Sequence, residues 1–238
     1  YWDFLALFDE MKNGLRQAVR KGYHIRGIGI DTWGVDFALI DRKGNLLGNP
    51  VCYRDLRTDG LPEEFFDTLE MNASCMDAKV SNNHPGGSLS RHYSKAGIQV
   101  MSINTLFQLY SMKKSGDVQL EVADRLLFMP DLFSFFLTGV ANNEYCIAST
   151  SELLDARSRS WNRALIRRLG VPEHLFGDIV MPSTVRGRLK PEIAEEIGLT
   201  EEVDVIAVGS HDTASAVFAI PETHVDKSRC AFLSSGTW

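Results

Sequence analysis

The sequence predicts an α/β fold in which a mixed sheet is flanked by helices in layers. Short apolar runs rich in β-branched residues alternate along the chain with stretches of helical periodicity, which is typical of one layered α/β domain. The clearest run covers residues 203–208 and ends at Gly209, so we expect a buried strand that feeds a tight turn. A run of small residues over 213–219 can begin a helix directly after that turn. Ligands of α/β proteins bind at the carboxyl ends of such strands, so we expect the functional site here.

The other elements are predicted from periodicity and from turn residues. An apolar stripe at helical spacing predicts a helix over residues 2–20. Strands are predicted over 25–30 and 35–40, and we expect both in one sheet with 203–208. The later predictions, in chain order, are a helix at 62–69, an irregular loop at 71–90, a helix at 102–114, a strand at 122–128, a helix between Pro130 and Gly139, a Ser/Thr-rich connector at 144–154, and helices at 161–169 and 191–197.

Three polar residues, Ser210, His211 and Asp212, fill the turn after the central strand. Asp212 is the candidate catalytic group, because a carboxylate at a helix start can accept a proton and orient a hydroxyl group. The alternative is structural: an Asp ahead of a helix is a favoured N-cap, worth about 1 kcal/mol, and residue types alone favour that interpretation. The pairing with His211 favours catalysis, as does a second apolar run at 230–233 that leads into a Ser-Gly-Thr turn typical of phosphate binding.

Several segments of the chain resemble the FGGY carbohydrate kinases. They are V-G-S-H-D-T-A-S-A-V at 208–217, F-L-S-S-G-T-W at 232–238, G-I-D-T-W-G-V-D-F at 29–37, Y-R-D-L-R-T at 53–58, G-I-Q at 97–99 and M-P-D-L-F-S-F-F-L-T-G at 129–139. The resemblance extends over almost the whole chain, and its specificity lies in H-D-T-A followed by S-S-G-T-W. It implies a ribonuclease H-like fold, as in the actin and sugar-kinase superfamily.

The resemblance also implies a reaction, the ATP-dependent phosphorylation of a ketose hydroxyl, with L-rhamnulose as the closest substrate. Asp212 would be the general base, His211 and Thr213 would orient the sugar, and Thr237 would contact the nucleotide phosphates; ATP and Mg²⁺ are the implied cosubstrate and metal. Two alternatives stay open: a kinase for another sugar such as fuculose or xylulose, and a non-catalytic sugar-binding fragment. A hydrolase built on His211 and Asp212 is a weaker alternative, because no serine or cysteine elbow accompanies the pair.

The candidate sugar-binding residues outside the turn are Trp33, Gly34, Asp36 and Gln99. An indole face can cover the apolar face of a sugar, and a glycine lets backbone groups reach its hydroxyls. Structural roles compete: a core aromatic for Trp33, a positive φ for Gly34, and a loop carbonyl partner for Gln99. Strand alternation leaves the direction of the Asp36 side chain open. The similarity of D-T-W-G-V-D to a sugar-binding segment of the family favours the sugar site.

The resemblance gives an expectation for domain organisation. Residues 1–238 correspond to the N-terminal, sugar-binding domain of such a kinase, and 234–238 to the start of the link to a nucleotide-binding domain. Family members carry a phosphate-loop hairpin ahead of this region and the second domain after it. We therefore expect residues 1–238 alone not to turn over ATP.

Composition narrows the expected partners and location. A formal net charge of -6 does not favour a nucleic-acid or anionic-membrane partner. No apolar stretch is long enough to predict a membrane span. The cysteines are widely spaced without a C-x-x-C, which predicts neither a zinc site nor a disulfide framework and suits a reduced, cytoplasmic protein. Composition leaves a homodimer open.

Overall fold

Helices and short strands alternate along the chain, as the sequence predicts. The computed structural model describes residues 1–76, 87–221 and 229–235, without the side chains of 69–76 and 87. The helices are α1 Phe4–Arg20, α2 Leu61–Met76, α3 Gly87–Ala96, α4 Thr105–Ser115, α5 Gln119–Val122, α6 Met129–Thr138, α7 Tyr145–Ser149, α8 Arg163–Leu169, α9 Pro191–Ile197 and α10 Asp212–Phe218, with 3₁₀ turns at Leu56–Thr58 and Glu173–Leu175. The strands are β1 Gly27–Gly29, β2 Phe37–Ile40, β3 Arg125–Phe128, β4 Asn143–Glu144, β5 Leu154–Asp155, β6 Ser160–Trp161, β7 Ile179–Val180, β8 Val185–Arg188 and β9 Asp204–Ile206. Within those ranges, no helix has both the length and the apolar character needed to cross a bilayer.

One sheet is mixed and has the strand order β1–β9–β8. β1 runs parallel to β9, with Ile28 opposite Val205, and β8 runs antiparallel to β9 with a bulge between Val185 and Gly187. Three two-stranded pairs accompany this sheet: β2–β3 antiparallel, β4–β7 parallel and β5–β6 antiparallel. Because β1 and β9 are parallel neighbours, the segments that follow them emerge at the same edge of the sheet.

The β2–β3 pair lies between two apolar cores. Successive side chains of a strand point to opposite faces, and all four residues of β2 are buried. Phe37 and Leu39 belong to one core, together with residues of α2, α4 and α8. Ala38 and Ile40 belong to the other, together with residues of α1, α6 and β1. The layered architecture follows from this burial on both faces.

The prediction that strands 25–30, 35–40 and 203–208 share one sheet is wrong for the second of them. β2 pairs with β3, with Phe37 opposite Phe128, and it does not join β1 and β9. The physical reason lies just ahead of β2, where Val35 has a φ of 66°. A residue in the left-handed region cannot continue an extended strand, so the chain changes direction there.

Two predicted irregular segments contain helix. The loop expected at 71–90 is helical at 71–76 and again from Gly87, because α2 and α3 extend into it; residues 77–86 lie outside the described residues. The connector expected at 144–154 contains α7. That short helix begins at Tyr145 because the Glu144 side chain caps it, accepting hydrogen bonds from the amides of Cys146 and Ile147.

Candidate functional site

The candidate site lies where the segment after β1 meets the turn after β9. Backbone hydrogen bonds join the two: Thr32 N donates to Ser210 O at 3.0 Å, and Asp212 N donates to Thr32 O at 2.9 Å. Thr32 and His211 thereby form an isolated parallel bridge. The two stretches singled out in the sequence are therefore held against each other by main-chain contacts.

Gly34 sits in a close contact between these stretches. A Cβ atom at Gly34 would lie 2.9 Å from Thr150 Cγ2 and 3.1 Å from His211 Cδ2. Real Cβ atoms essentially never approach another atom to 2.9 Å, so any larger residue at this position would force Thr150 to shift. The positive φ considered for Gly34 occurs instead at Val35. The structure thus brings Gly34 and His211 side by side.

Val35 is held in its left-handed conformation by three side chains. Its amide donates to Thr150 Oγ1 at 3.0 Å, and its carbonyl accepts from Thr105 Oγ1 at 2.7 Å and from Gln108 Nε2 at 3.3 Å. For a β-branched residue this backbone conformation costs on the order of 1–3 kcal/mol. The hydrogen bonds offset that cost and fix the loop that carries Gly34.

The carboxylate of Asp36 holds two indole rings together. Trp2 Nε1 and Trp33 Nε1 both donate to Asp36 Oδ2, at 2.6 and 2.9 Å, and the two ring systems lie 4.3 Å apart between centroids. Tyr53 N also donates to Oδ2, at 3.3 Å, and Gln108 Nε2 donates to Oδ1, at 3.3 Å. Burial raises the pKa of Asp36, and the hydrogen bonds from the two indoles oppose that rise.

Asp36 therefore does not have the role that the sequence suggested. Its side chain is completely buried, so it offers no surface to a sugar hydroxyl. Its place beneath Trp2 and Trp33 gives it a positioning role, since it fixes both rings. Behind it, Gln108 Oε1 accepts from Arg57 Nη2 at 2.7 Å, which extends the network to a guanidinium. Burial lowers the pKa of Arg57, and the negative charges of Asp55 and Asp36 oppose that fall.

Asp212 is exposed at the start of α10. The N-cap of that helix is His211, so the interpretation of Asp212 as the cap is wrong: Asp212 is the first residue inside the helix. Asp212 Oδ1 accepts from Thr213 N at 2.6 Å and from Thr213 Oγ1 at 3.2 Å, and it lies 3.5 Å from His211 Nε2. The Asp212 side chain is 59% exposed, and α10 buries none of its residues. The carboxylate is thus oriented by its neighbours and exposed at the surface.

A buried carboxylate holds the same turn from a second direction. Glu144 Oε2 accepts from Ser210 N at 3.1 Å and from Ile147 N at 3.1 Å, while Oε1 accepts from Cys146 N at 2.8 Å. The Glu144 side chain is completely buried. It therefore connects the first turn of α7 to the residue that lies two positions before Asp212.

The backbone of Glu144 is in turn held by a buried ion pair. Glu144 N donates to Asp131 Oδ1 at 3.1 Å, and the same oxygen lies 2.8 Å from Arg186 Nη1. Burial raises the pKa of Asp131 to about 6, and the charge of Arg186 opposes that rise. Asp131 lies in the first turn of α6, and its Oδ2 accepts from Asn143 Nδ2 at 3.1 Å, so it also anchors β4.

Of the two remaining predicted contact residues, one lies away from this cluster and the other is not among the described residues. Gln99 is exposed in the segment between α3 and α4, and the described contacts do not connect it to Gly34 or Asp212. Thr237 lies outside the described residues. The residues that the structure brings together are thus Trp33, Gly34, His211, Asp212 and Thr213, with Asp36 behind them.

Sequence reasoning missed four residues that support the site: Trp2, Gln108, Glu144 and Thr150. Trp2 and Gln108 carry no local signal, because their partners lie far away along the chain. Glu144 gave one signal, since an acceptor just ahead of a possible helix can be its cap. Thr150 was visible only as part of a Ser/Thr-rich stretch.

This fold and this arrangement of polar groups define the class of protein. Residues 2–219 match the N-terminal domain of the FGGY family of carbohydrate kinases. Among solved structures, a carbohydrate kinase from Novosphingobium aromaticivorans superposes with a TM-score of 0.71 at 21% identity, covering 91% of this chain and 42% of that one. A ligand-bound xylulose kinase from Lactobacillus acidophilus superposes with a TM-score of 0.67 at 16% identity, covering 86% of this chain and 38% of that one. These likenesses confirm the expected sugar-kinase fold.

Curated proteins of similar sequence include rhamnulokinases. The chain is 43% identical over 238 residues to a rhamnulokinase from Bacteroides thetaiotaomicron, covering 100% of this chain and 44% of that protein. It is 38% identical over 237 residues to a rhamnulokinase from Oceanobacillus iheyensis, covering 100% of this chain and 45% of that protein. The chain belongs to the FGGY family of carbohydrate kinases. It spans about half the length of the curated relatives it matches.

Proposed function

We propose that this chain is the sugar-binding half of a kinase that transfers the terminal phosphoryl group of ATP to a ketose hydroxyl, with L-rhamnulose as the substrate. The observation that supports this proposal best is the pair of backbone hydrogen bonds between Thr32 and the Ser210–Asp212 turn. This pair sets the half-buried Gly34 against His211, the neighbour of the exposed Asp212 carboxylate. The substrate assignment rests on the relatives named rhamnulokinase.

In the proposed reaction, Asp212 is the general base. The sugar hydroxyl gives its proton to the Asp212 carboxylate while its oxygen forms a bond to the terminal phosphorus of ATP. The bond from that phosphorus to the bridging oxygen breaks, and ADP leaves with the electron pair. Phosphoryl transfer depends mainly on positioning and on charge stabilisation, so one oriented carboxylate can supply the proton acceptor.

The neighbouring residues would position the sugar. His211 and Thr213 flank Asp212, and Thr213 already fixes one carboxylate oxygen through two hydrogen bonds. The other carboxylate oxygen is then available to the hydroxyl. Trp33 would provide an apolar surface, because its N–H group is already bound to Asp36 and only its ring remains for contact.

ATP is proposed as the phosphoryl donor because the chain belongs to the FGGY kinase family, and Mg²⁺ is proposed as the metal ion that usually accompanies ATP. Among the described residues, no group of three or more His, Cys, Asp or Glu side chains lies close enough together to hold a metal ion. The described side chains therefore do not themselves fit a metal centre, and magnesium is commonly bound through substrate phosphates instead. Thr237 remains the predicted contact to the nucleotide. A cytoplasmic location and a homodimer remain predictions as well.

A panel of ketoses tests the proposal on the full-length protein. ADP formation is measured with L-rhamnulose, L-fuculose and D-xylulose at matched concentrations, with ATP present. The proposal expects the highest kcat/KM with L-rhamnulose. A higher value with fuculose or xylulose would reassign the substrate within the family, and no sugar-dependent ADP formation with any ketose would contradict the kinase assignment.

A further inference from the structure

Two sets of hydrogen bonds hold the turn Ser210–Asp212, which carries the proposed base and is called the catalytic turn below. Only one of the two sets is formed entirely by main-chain atoms. Thr32 binds the carbonyl of Ser210 and the amide of Asp212. The amide of Ser210, which is itself almost completely buried, is bound by Glu144 Oε2 at 3.1 Å. Among the described hydrogen bonds, the one from Ser210 N to Glu144 is therefore the only one that joins the main chain of Ser210–Asp212 to a side chain outside this turn.

Glu144 is chemically unusual for a capping residue. Its carboxylate is completely buried and is bound by three backbone amides, of Cys146, Ile147 and Ser210. Burial of a carboxylate is costly, and a helix cap does not require it, because Asp, Asn, Ser and Thr cap helices better than longer side chains do. Capping α7 alone does not explain the longer side chain, whereas reaching Ser210 does.

The position of α7 makes this contact a link between the two halves of the site. Glu144 at its start binds the turn that carries Asp212. At its end, Thr150 Oγ1 accepts from the Val35 amide at 3.0 Å and donates to Ile147 O at 2.7 Å, which fixes the hydroxyl on the helix. A single helical turn thus sets the spacing between the Gly34 loop and the catalytic turn.

We infer that Glu144 is a positioning residue for the reaction: through Ser210 it sets the place of Asp212. This inference rests on the proposed function of Asp212. It predicts that loss of the Ser210 contact lowers turnover more than sugar affinity, because Trp33 is held by Asp36 and the Gly34 loop is held through Val35.

The substitution Glu144→Asp separates positioning from capping. Asp is a good N-cap, so it keeps the bonds to the α7 amides, but it is one methylene shorter and draws back from Ser210. In the full-length protein we expect kcat to fall about 10- to 100-fold, since a displacement of about 1 Å can lower a rate by about 100-fold. The KM for the sugar should change less than about threefold, and the thermal midpoint should stay near that of the parent.

A matched control removes a helix cap elsewhere. Asn162 caps α8 by accepting from Leu165 N at 3.2 Å, so Asn162→Ala should lower stability without lowering kcat. If Glu144→Asp does not fold, Glu144→Ser replaces it: serine is also a good N-cap, its hydroxyl is too short to reach Ser210 N, and the same fall in kcat is expected. A parental kcat in the folded variant would overturn the inference.

A double-mutant cycle with Asp212→Asn completes the test. If Glu144 acts through Asp212, Glu144→Asp should lower kcat much less in the Asp212→Asn background than in the parent. An equal fall in both backgrounds would overturn the positioning role while leaving the base in place. Parental turnover in Asp212→Asn alone is a different result: it would remove the proposed base, and the inference with it.

Discussion

The Cβ position of Gly34 lies 3.1 Å from Cδ2 of His211, so a side chain at residue 34 would press the loop after β1 against the Ser210–Asp212 turn. Gly34→Ala should force Thr150 or His211 to move. Overpacking of this kind costs about 1–3 kcal/mol. We expect the KM for the sugar to rise about tenfold, which corresponds to about 1.4 kcal/mol, in steady-state assays of the full-length protein.

A second substitution tests the cause of that loss. Thr150→Ser removes the methyl group that lies 2.9 Å from the new Cβ and keeps the hydroxyl that binds Val35 N. The double variant should therefore recover part of the affinity. Gly14→Ala is the control, because Gly14 lies in α1 with no atom within 4 Å of its Cβ position. An unchanged KM in Gly34→Ala would show that the contact does not shape the site.

Asp36→Asn should destabilise the protein. All four partners of the Asp36 carboxylate are donors: two indoles, the Tyr53 amide and the Gln108 amide. An Asn amide turned either way places its own donor against one of them, at an expected cost of about 1–3 kcal/mol. Denaturant unfolding measures the change. Trp2→Phe is the control, since it removes one donor and keeps a ring, and it should cost less.

Glu152 gives a prediction that depends on pH. It is buried, its Oε2 lies 3.2 Å from His92 Nε2, and its Oε1 has no hydrogen-bond partner among the described residues. Burial raises the pKa of Glu152, and the hydrogen bond to His92 opposes the rise. A carboxyl group whose folded pKa is raised stabilises the fold below its unfolded pKa, and that contribution is lost as pH rises through the folded value.

Glu152→Gln should therefore become more favourable relative to the parent as pH rises. We expect its denaturant midpoint to equal or exceed the parental midpoint at pH 8, and the advantage to shrink at pH 5. Glu10→Gln serves as the control, because Glu10 is exposed on α1. An advantage that grows toward low pH would contradict the burial of an ionised Glu152.

Local periodicity predicted the elements whose determinants are close together in the sequence. The helix at 191–197 was predicted with its observed bounds, because Pro191 and Gly198 mark its two ends. The first helix was predicted two residues early, since Asp3 caps it by accepting from Ala6 N. Elements of this kind depend on capping and on an apolar stripe, and both can be read locally.

The errors arose where distant residues decide the structure. No local pattern indicates that Val35 turns left-handed, because Thr105, Gln108 and Thr150 hold it from remote segments. The inward direction of Asp36 likewise depends on Trp2 and Gln108. Gly34 and His211 meet because β1 and β9, which are far apart in the sequence, are parallel neighbours in the sheet.

The central claim is that the exposed carboxylate of Asp212 is the proton acceptor, and Asp212→Asn in the full-length protein tests it most directly. Asn is nearly isosteric and can still accept from Thr213, so α10 should remain folded. A general base contributes typically about 10²–10⁴-fold, so kcat with L-rhamnulose and ATP should fall by about that factor. Sugar affinity, measured by calorimetry on the same sample, should change much less. Turnover within a few-fold of the parent, in a variant that is folded and binds sugar, would contradict the account.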